Sequence, residues 1–259
     1  MGIINVTPDS FSDGGNCFAP EAAVCQADAL VMAGTDILDI GGESTRPYAS
    51  PVSQAQELAR VIPVIEAIRS RHSLPISIDT TKAEVARQAL AAGADMINDV
   101  SALRSDPEMI DVVRQSQVPL IIMHMQGTPG DMQANPSYVN VVGDIIGFFR
   151  ERLAWIKDQG VDVNRVTIDP GIGFGKTMAH NLIILKYLSQ FKTLGRPVLL
   201  GHSRKRFIGD LTGLPPQERD QATAVLSALA VANGVSIIRV HDVAATRQAV
   251  RLAEAVAGA

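Results

Sequence analysis

The chain has 259 residues, of which 46% are hydrophobic and 19% are charged, and its formal net charge is −4. This composition excludes intrinsic disorder as the main state, and the acidic balance argues against a broad basic surface for nucleic acid. Cys17 and Cys25 are too few for a disulfide framework or a cysteine-rich zinc site, so we expect reduced thiols in a cytoplasmic protein. Charge, Gly or Pro interrupts every apolar stretch well before membrane-spanning length, which predicts no membrane partner.

Short apolar segments of strand length recur along the chain, and a longer stretch with helical periodicity follows each of them. The predicted strands are Gly2–Val6, Asp36–Ile40, Pro75–Ile78, Asp95–Asn98, Pro119–Met123, Val166–Asp169, Pro197–Gly201 and Val235–Val240. The clearest helical pattern consists of Val139, Val142, Ile145, Phe149, Leu153 and Ile156. Gly34, Gly93 and Gly160 stand where three of the helices should end.

Strands that alternate with helices in this way predict parallel pairing. No shift in composition and no linker divides the chain, so we predict one domain over residues 1–259. The eight repeats favour a single α/β (β/α)8 TIM barrel whose first strand starts at the N-terminus. The competing fold is an open doubly wound sheet, but this sequence lacks the glycine-rich turn that such a fold has after its first strand.

Polar residues follow the predicted strands, at the end of the barrel where chemistry takes place in this architecture. They are Asn5, Asp39, Glu43, Asp79, Asn98, Asp99, His124, Asp169, Ser203, Arg204, Lys205, Arg239 and His241. Each alone is more typical of a helix cap or a turn. Together they converge on one mouth, where so many polar groups favour a polar ligand.

The residue types suggest two regions in this site. Asp79, Asn98, Asp169 and Lys205 suit a flat heterocycle that presents donors and acceptors along its edge. The residues after strands seven and eight, where barrels often bind phosphate, include Ser203, Arg204, Arg239 and His241.

The glycine-rich segment 169–177 is not a Walker loop, because Pro170 stands where that motif requires glycine. We interpret its glycines as allowing close approach to a ligand or to Phe174. The five histidines form no metal-binding motif, so a bound metal would be a hard ion held by oxygen atoms and substrate phosphate, which indicates Mg²⁺.

Seven phrases in chain order resemble those of the dihydropteroate synthase family of folate biosynthesis. They are residues 1–15, 41–47, 78–80, 97–100, 169–176, 203–205 and 239–243. The resemblance implies an enzyme, a transferase that condenses 6-hydroxymethyl-7,8-dihydropterin diphosphate with 4-aminobenzoate to give 7,8-dihydropteroate and diphosphate. It also implies Mg²⁺, a homodimer and a target of sulfonamides.

The resemblance also implies roles for individual residues. The pterin-binding set is Asp79, Asn98, Asp169 and Lys205. The diphosphate-binding set is Asn5, Arg239 and His241, with Asn5 as the metal ligand. The aminobenzoate-binding set is Phe11, Thr45, Arg46, Pro47, Phe174 and Lys205. Those expected to carry catalysis are Lys205, Asp79, Arg239 and His241.

In this family the diphosphate leaves first, in an SN1-like step, and the loops at 7–15 and 42–49 are expected to close and exclude water. One departure is Arg206, which stands where many members carry Ser. The alternatives are a methyltetrahydrofolate-dependent methyltransferase, which would not need the Arg239 and His241 site, and a pterin-binding barrel without turnover.

Overall fold

The structure, a computed structural model, describes residues 1–7, 19–44 and 51–259. In this part of the chain, strands alternate with helices, except that two helices lie between the last two strands. The strands are β1 (Gly2–Asn5), β2 (Leu38–Gly41), β3 (Ile76–Asp79), β4 (Met96–Asp99), β5 (Leu120–Met123), β6 (Val166–Asp169), β7 (Leu199–Leu200) and β8 (Ile237–Ile238). The helices are α1 (Ala19–Met32), α2 (Gln54–Arg69), α3 (Ala83–Ala91), α4 (Met109–Ser116), α5 (Val141–Asp158), α6 (Met178–Lys186), α7 (Arg206–Thr212), α8 (Asp220–Ala232) and α9 (Val243–Ala257). Short 3-10 turns lie at Val163–Arg165, Leu188–Leu194 and Pro216–Glu218.

The strands form a closed ring. Strands β1 to β6 pair in chain order, and β7 pairs with β8, always in parallel. A parallel bridge between Ile168 and Val198 connects β6 to the segment before β7, and a bridge between Gly2 and Val240 connects β1 to the segment after β8. The Ile3 N–H donates to the Val240 carbonyl over 3.0 Å across this last seam. The predicted (β/α)8 barrel is therefore confirmed.

Alternation within each strand separates the apolar core from the barrel interior. Ile40, Ile78, Ile97 and Ile168 are fully buried in the main core cluster, which also contains the inner faces of the helices. The intervening positions near the strand ends have the opposite orientation and hold Asp39, Asp79, Asn98, Asp169 and, beyond β8, Arg239. Below them, Met1, Ile121 and Leu199 form a small apolar cluster. The interior is therefore apolar at one end and charged at the other.

Several strand bounds differ by one or two residues from the sequence-based prediction, and two differences have a clear physical cause. The last two strands contain two residues each, shorter than predicted, and Pro197 offers no N–H to extend β7. Val139 lies outside helix α5 and is fully exposed, because the Asn140 side chain accepts the Gly143 N–H at 3.1 Å and starts the helix after it.

The predicted helix ends at Gly34, Gly93 and Gly160 are confirmed by their φ values of +86°, +113° and +82°. At the first of these, the N–H groups of Gly34 and Thr35 donate back into the last turn of α1. A left-handed residue is needed for that arrangement, and glycine adopts it without steric cost.

None of the helices within residues 1–7, 19–44 and 51–259 combines the length and apolarity that crossing a bilayer requires.

Candidate active site

Arg239 is the centre of a charged cluster inside the mouth of the barrel. Its Nε donates to Asp39 Oδ2 at 2.6 Å, and its Nη2 donates to Asp79 Oδ2 at 2.8 Å. Asp39 is completely buried, whereas Arg239 and Asp79 keep a fifth or less of their side chains exposed. The sequence places Asp79 and Arg239 in two different ligand sets, and the structure joins them directly.

Burial and charge pull the pKa values of this cluster in opposite directions. Burial raises the pKa of Asp79 to about 7, with the Asp39 carboxylate adding to the effect and Arg239 opposing it. Burial disfavours the charged form of Arg239, but Asp39 and Asp79 outweigh it and hold its pKa above the ordinary value. The guanidinium therefore stays charged in the cluster.

Asn98 and Asp169 complete the polar lining from β4 and β6. The Asn98 amide nitrogen lies 3.5 Å from Asp39 Oδ2, which connects it to the Arg239 cluster. Asp169 Oδ1 accepts the Gly171 N–H at 2.7 Å. Burial raises the pKa of Asp169, against the opposing effects of that N–H and of Lys205. Both side chains are buried, as expected for residues that recognise a ligand edge inside a cavity.

Lys205 approaches this group from the segment after β7. Its Nζ lies 3.9 Å from the centre of the Phe174 ring, a cation–π contact. Burial lowers the pKa of Lys205 to about 8; Asp169 and Asp79 raise the pKa, whereas Arg239 lowers it. Lys205 and Phe174, both predicted site residues, are therefore in direct contact.

His241 and Asn5 lie where closure of the barrel brings the first and last strands together. His241 follows the seam that joins Val240 to Gly2, and Asn5 ends β1 on the other side of that seam. The Nδ1 atom of His241 lies 2.8 Å from Ser203 Oγ. This pairing of strands brings Asn5 and His241, two members of the predicted diphosphate-binding set, to the same side of the barrel mouth.

The glycine-rich loop after β6 packs on protein backbone. A Cβ atom at Gly171 would lie 1.9 Å from the His124 carbonyl oxygen, and one at Gly175 would lie 2.4 Å from that of Gln126. The glycines therefore allow contact with the end of β5, and the interpretation that they make room for a ligand was wrong at these two positions.

Lys176 fastens the same loop. Its buried Nζ donates to His124 Nδ1 at 3.0 Å, to the His124 carbonyl at 3.3 Å and to the Phe174 carbonyl at 2.9 Å. Burial lowers the pKa of Lys176 to about 7. Lys176 thus positions the backbone that carries Phe174, and sequence reasoning assigned it no such role.

Sequence reasoning placed Asp39 at the mouth but gave it no partner, and it missed a partly buried ion-pair group on Lys82. Lys82 Nζ donates to Glu43 Oε2 at 2.6 Å and to Glu57 Oε2 at 2.5 Å, and Glu43 Oε1 accepts the Val52 N–H. The signal for Asp39 is present in the sequence, since a carboxylate flanked by Leu38 and Ile40 within a buried strand requires a charged partner.

Several predicted residues lie outside the described residues. They are Phe11, Thr45, Arg46 and Pro47 of the aminobenzoate set, together with most of the two predicted closing loops. Arg206, the departure from the family pattern, is exposed, and its Nε lies 3.6 Å from Asp210 Oδ2.

Comparison with known proteins shows the family. Residues 1–241 match the family described as "Pterin binding enzyme". Dihydropteroate synthase from Synechocystis is 47% identical over 256 residues, which cover 98% of this chain and 89% of that protein. The chain belongs to the dihydropteroate synthase family of pterin-binding enzymes.

Solved structures agree with this assignment to the dihydropteroate synthase family. A Yersinia pestis dihydropteroate synthase in a sulfonamide drug complex has a TM-score of 0.95 and 42% identity, covering 100% of this chain and 94% of that one. A Xanthomonas albilineans dihydropteroate synthase in complex with 7,8-dihydropteroate has a TM-score of 0.92 and 46% identity, covering 100% and 93%. The predicted family, the enzyme class and the link to sulfonamide targets are confirmed.

Proposed function

We propose that this chain condenses 6-hydroxymethyl-7,8-dihydropterin diphosphate with 4-aminobenzoate and releases 7,8-dihydropteroate and diphosphate. The observation that carries the proposal is the charged cluster at the barrel mouth, where Asp39, Asp79 and Arg239 are paired next to Asn98. The name and the bound 7,8-dihydropteroate of the Xanthomonas albilineans protein give it independent support. A methyltetrahydrofolate-dependent methyltransferase would not need Arg239 and His241 for binding a diphosphate.

The dihydropterin ring occupies the pocket lined by Asp79, Asn98, Asp169 and Lys205 in this proposal. Asp169 Oδ2 accepts from a ring N–H and the neighbouring exocyclic amine, and the Lys205 ammonium donates to the ring carbonyl. A heterocycle gives up its hydrating water when it enters this pocket, so each polar atom on its edge needs a hydrogen-bond partner from the protein. This requirement makes the pocket selective for pterins.

Arg239 and His241 stabilise the leaving diphosphate. Negative charge accumulates on the diphosphate as the C–O bond breaks, so these two residues bind the transition state more tightly than the ground state. The remaining pterin cation faces Asp79, whose negative charge favours it. The arylamine nitrogen then attacks the exocyclic carbon and loses a proton, which completes the substitution.

Asn5 is the residue that we propose to hold Mg²⁺ together with the diphosphate oxygens. Its half-buried amide at the end of β1 offers a hard oxygen ligand. The described residues contain no group of three or more His, Cys, Asp or Glu able to bind a metal. In this proposal, substrate oxygens and water supply further ligands. When bound, Mg²⁺ supplies positive charge to the diphosphate.

The aminobenzoate ring packs near Phe174, with Phe11, Thr45, Arg46 and Pro47 as its other proposed neighbours. The Lys205 ammonium on the Phe174 ring places one charged group between the two substrates. Because the Phe174 carbonyl is fixed by Lys176, this wall is set before either substrate binds.

The first test concerns the protonation state of Lys205. Because burial lowers its pKa to about 8, the ammonium is lost as the pH rises through that value, and kcat/KM for the pterin diphosphate should fall with it. Lys205→Arg keeps its charge and should move the loss to higher pH, even if activity is lower. An unchanged alkaline limb in Lys205→Arg would remove Lys205 from this role.

We also propose that the chain forms a homodimer through helices α6 to α9. Exposed apolar side chains lie on these helices, namely Leu182, Ile183, Leu211, Val225, Leu229, Leu252 and Val256. Sedimentation velocity should give a dimer for the unmodified chain and a monomer for Leu229→Arg, because a buried guanidinium without a partner is costly. A monomer for the unmodified chain would contradict this arrangement.

The experiment that tests the function is an assay for diphosphate release with both substrates present. Release should require the pterin diphosphate and should fall when EDTA removes Mg²⁺. A chain that binds the dihydropterin without releasing diphosphate would instead be a pterin-binding barrel without turnover. The expected cytoplasmic location stays a prediction.

A further inference from the structure

Ser203 and His241 occupy equivalent positions after two paired strands. Leu200 of β7 is in register with Ile238 of β8, and Ser203 and His241 each follow three residues later. Their side chains therefore meet above the barrel interior, beside the residues that we place near the diphosphate.

Two hydrogen bonds connect these residues. The backbone N–H of His241 donates to Ser203 Oγ at 3.2 Å, and Ser203 Oγ lies 2.8 Å from His241 Nδ1. Besides accepting the backbone N–H, the Ser203 hydroxyl has one proton and a second lone pair, so it can donate to Nδ1 in one tautomer of His241 or accept from Nδ1 in the other. Within residues 1–7, 19–44 and 51–259, no other acceptor for this hydroxyl is found. In a neutral imidazole, an Nδ1 that accepts leaves the ring proton on Nε2.

The backbone on both sides of Ser203 is fixed to helix α8. His202 is fully buried, and its Nε2 lies 3.0 Å from the Thr223 carbonyl. Arg204 has a left-handed φ of +57° and pairs with Asp220 through two hydrogen bonds of 2.8 and 2.7 Å. Ser203 itself is buried. The hydroxyl therefore has a defined position and is not a mobile surface group.

We propose that Ser203 is a positioning residue that fixes the tautomer of His241, so that Nε2 carries the proton offered to the departing diphosphate. Ser203 does not contact the reacting atoms in this proposal, because it acts through the imidazole. That the group facing His241 is a diphosphate rests on the proposed function. The tautomer of His241, in contrast, can be measured in the protein without ligand.

The direct experiment is ¹⁵N NMR of the full chain labelled at histidine, with His241 assigned from the spectrum of His241→Gln. In the neutral imidazole we expect Nδ1 without a proton and Nε2 with one, and a mixture of tautomers in Ser203→Ala. Ser227→Ala is the matched control, because it removes another buried hydroxyl that contacts His202, and it should leave the His241 signals in place. A proton on Nδ1 in the unmodified chain would overturn the proposal, even if Ser203→Ala fails to fold.

Kinetics of a double-mutant cycle provide the second arm. Ser203→Ala should lower kcat about 10- to 100-fold with a smaller change in KM, as is typical when the partner that orients a functional histidine is removed. In the His241→Gln background the same change should have no further effect. Losses that multiply would show that Ser203 acts independently of His241 and would overturn the proposal. If the unmodified chain releases no diphosphate, the proposed function fails, and the NMR result still decides the role of Ser203.

Discussion

Asp169→Asn should abolish detectable binding of the dihydropterin, which is the largest effect that we expect from a single atom. Asp169 Oδ1 accepts the Gly171 N–H, and an asparagine oxygen can keep that bond and the turn after β6. The other oxygen becomes an NH₂ group that faces two N–H groups of the pterin edge. This buried mismatch should cost about 3 kcal/mol or more, over 100-fold in affinity.

Isothermal titration calorimetry with 6-hydroxymethyl-7,8-dihydropterin measures this loss. Asp162→Asn is the matched control, because Asp162 lies just before β6, at the opposite end of the same strand, and its side chain accepts the Asn164 N–H at 2.9 Å. The control should bind as the unmodified chain does. Unchanged affinity in Asp169→Asn would place the pterin elsewhere.

Arg239→Ala should lower kcat strongly, because it should remove roughly 2–4 kcal/mol of transition-state stabilisation. The guanidinium offsets the negative charge that grows on the leaving diphosphate. The variant should also unfold at lower temperature, since it leaves the buried carboxylate of Asp39 without its partner. Combining it with Asp39→Asn removes that unpaired charge and should restore stability without restoring kcat.

Comparing the affinities of Arg239→Ala for two pterins separates a specific role in binding diphosphate from a general defect of the variant. Binding of the pterin diphosphate should weaken far more than binding of the pterin without its diphosphate. Arg247→Ala is the control, because Arg247 contacts the Gly34 carbonyl, at the opposite end of the barrel. Equal losses for the two pterins in Arg239→Ala would end the assignment of Arg239 to the diphosphate.

The hydrophobic periodicity of the sequence was sufficient to predict the barrel architecture. Each buried strand has apolar residues on the helix-facing side, and the order of strands follows from short right-handed connections, so the ring of β1 to β8 is predictable. The bounds of individual elements were less predictable. The lengths of β7 and β8 depend on the neighbouring strands with which they pair, and the start of α5 depends on Asn140. A single domain over residues 1–259 stays a prediction.

The site was predictable in its members and much less so in its pairings. Polar residues at strand ends identify Asp79, Asn98 and Asp169, but no local pattern shows that Arg239 bridges Asp39 and Asp79, 200 and 160 residues away in sequence. The role of Lys176 was not predictable for a similar reason, since no local pattern indicates its hydrogen bonds to His124 and to the Phe174 carbonyl.

The measurement that tests the central claim most directly is a simultaneous determination of both products. The purified chain with Mg²⁺, 6-hydroxymethyl-7,8-dihydropterin diphosphate and 4-aminobenzoate should form 7,8-dihydropteroate and diphosphate in equal amounts, and Arg239→Ala should slow both equally. Binding of the pterin diphosphate with neither product formed would contradict the account, as would diphosphate release without 7,8-dihydropteroate.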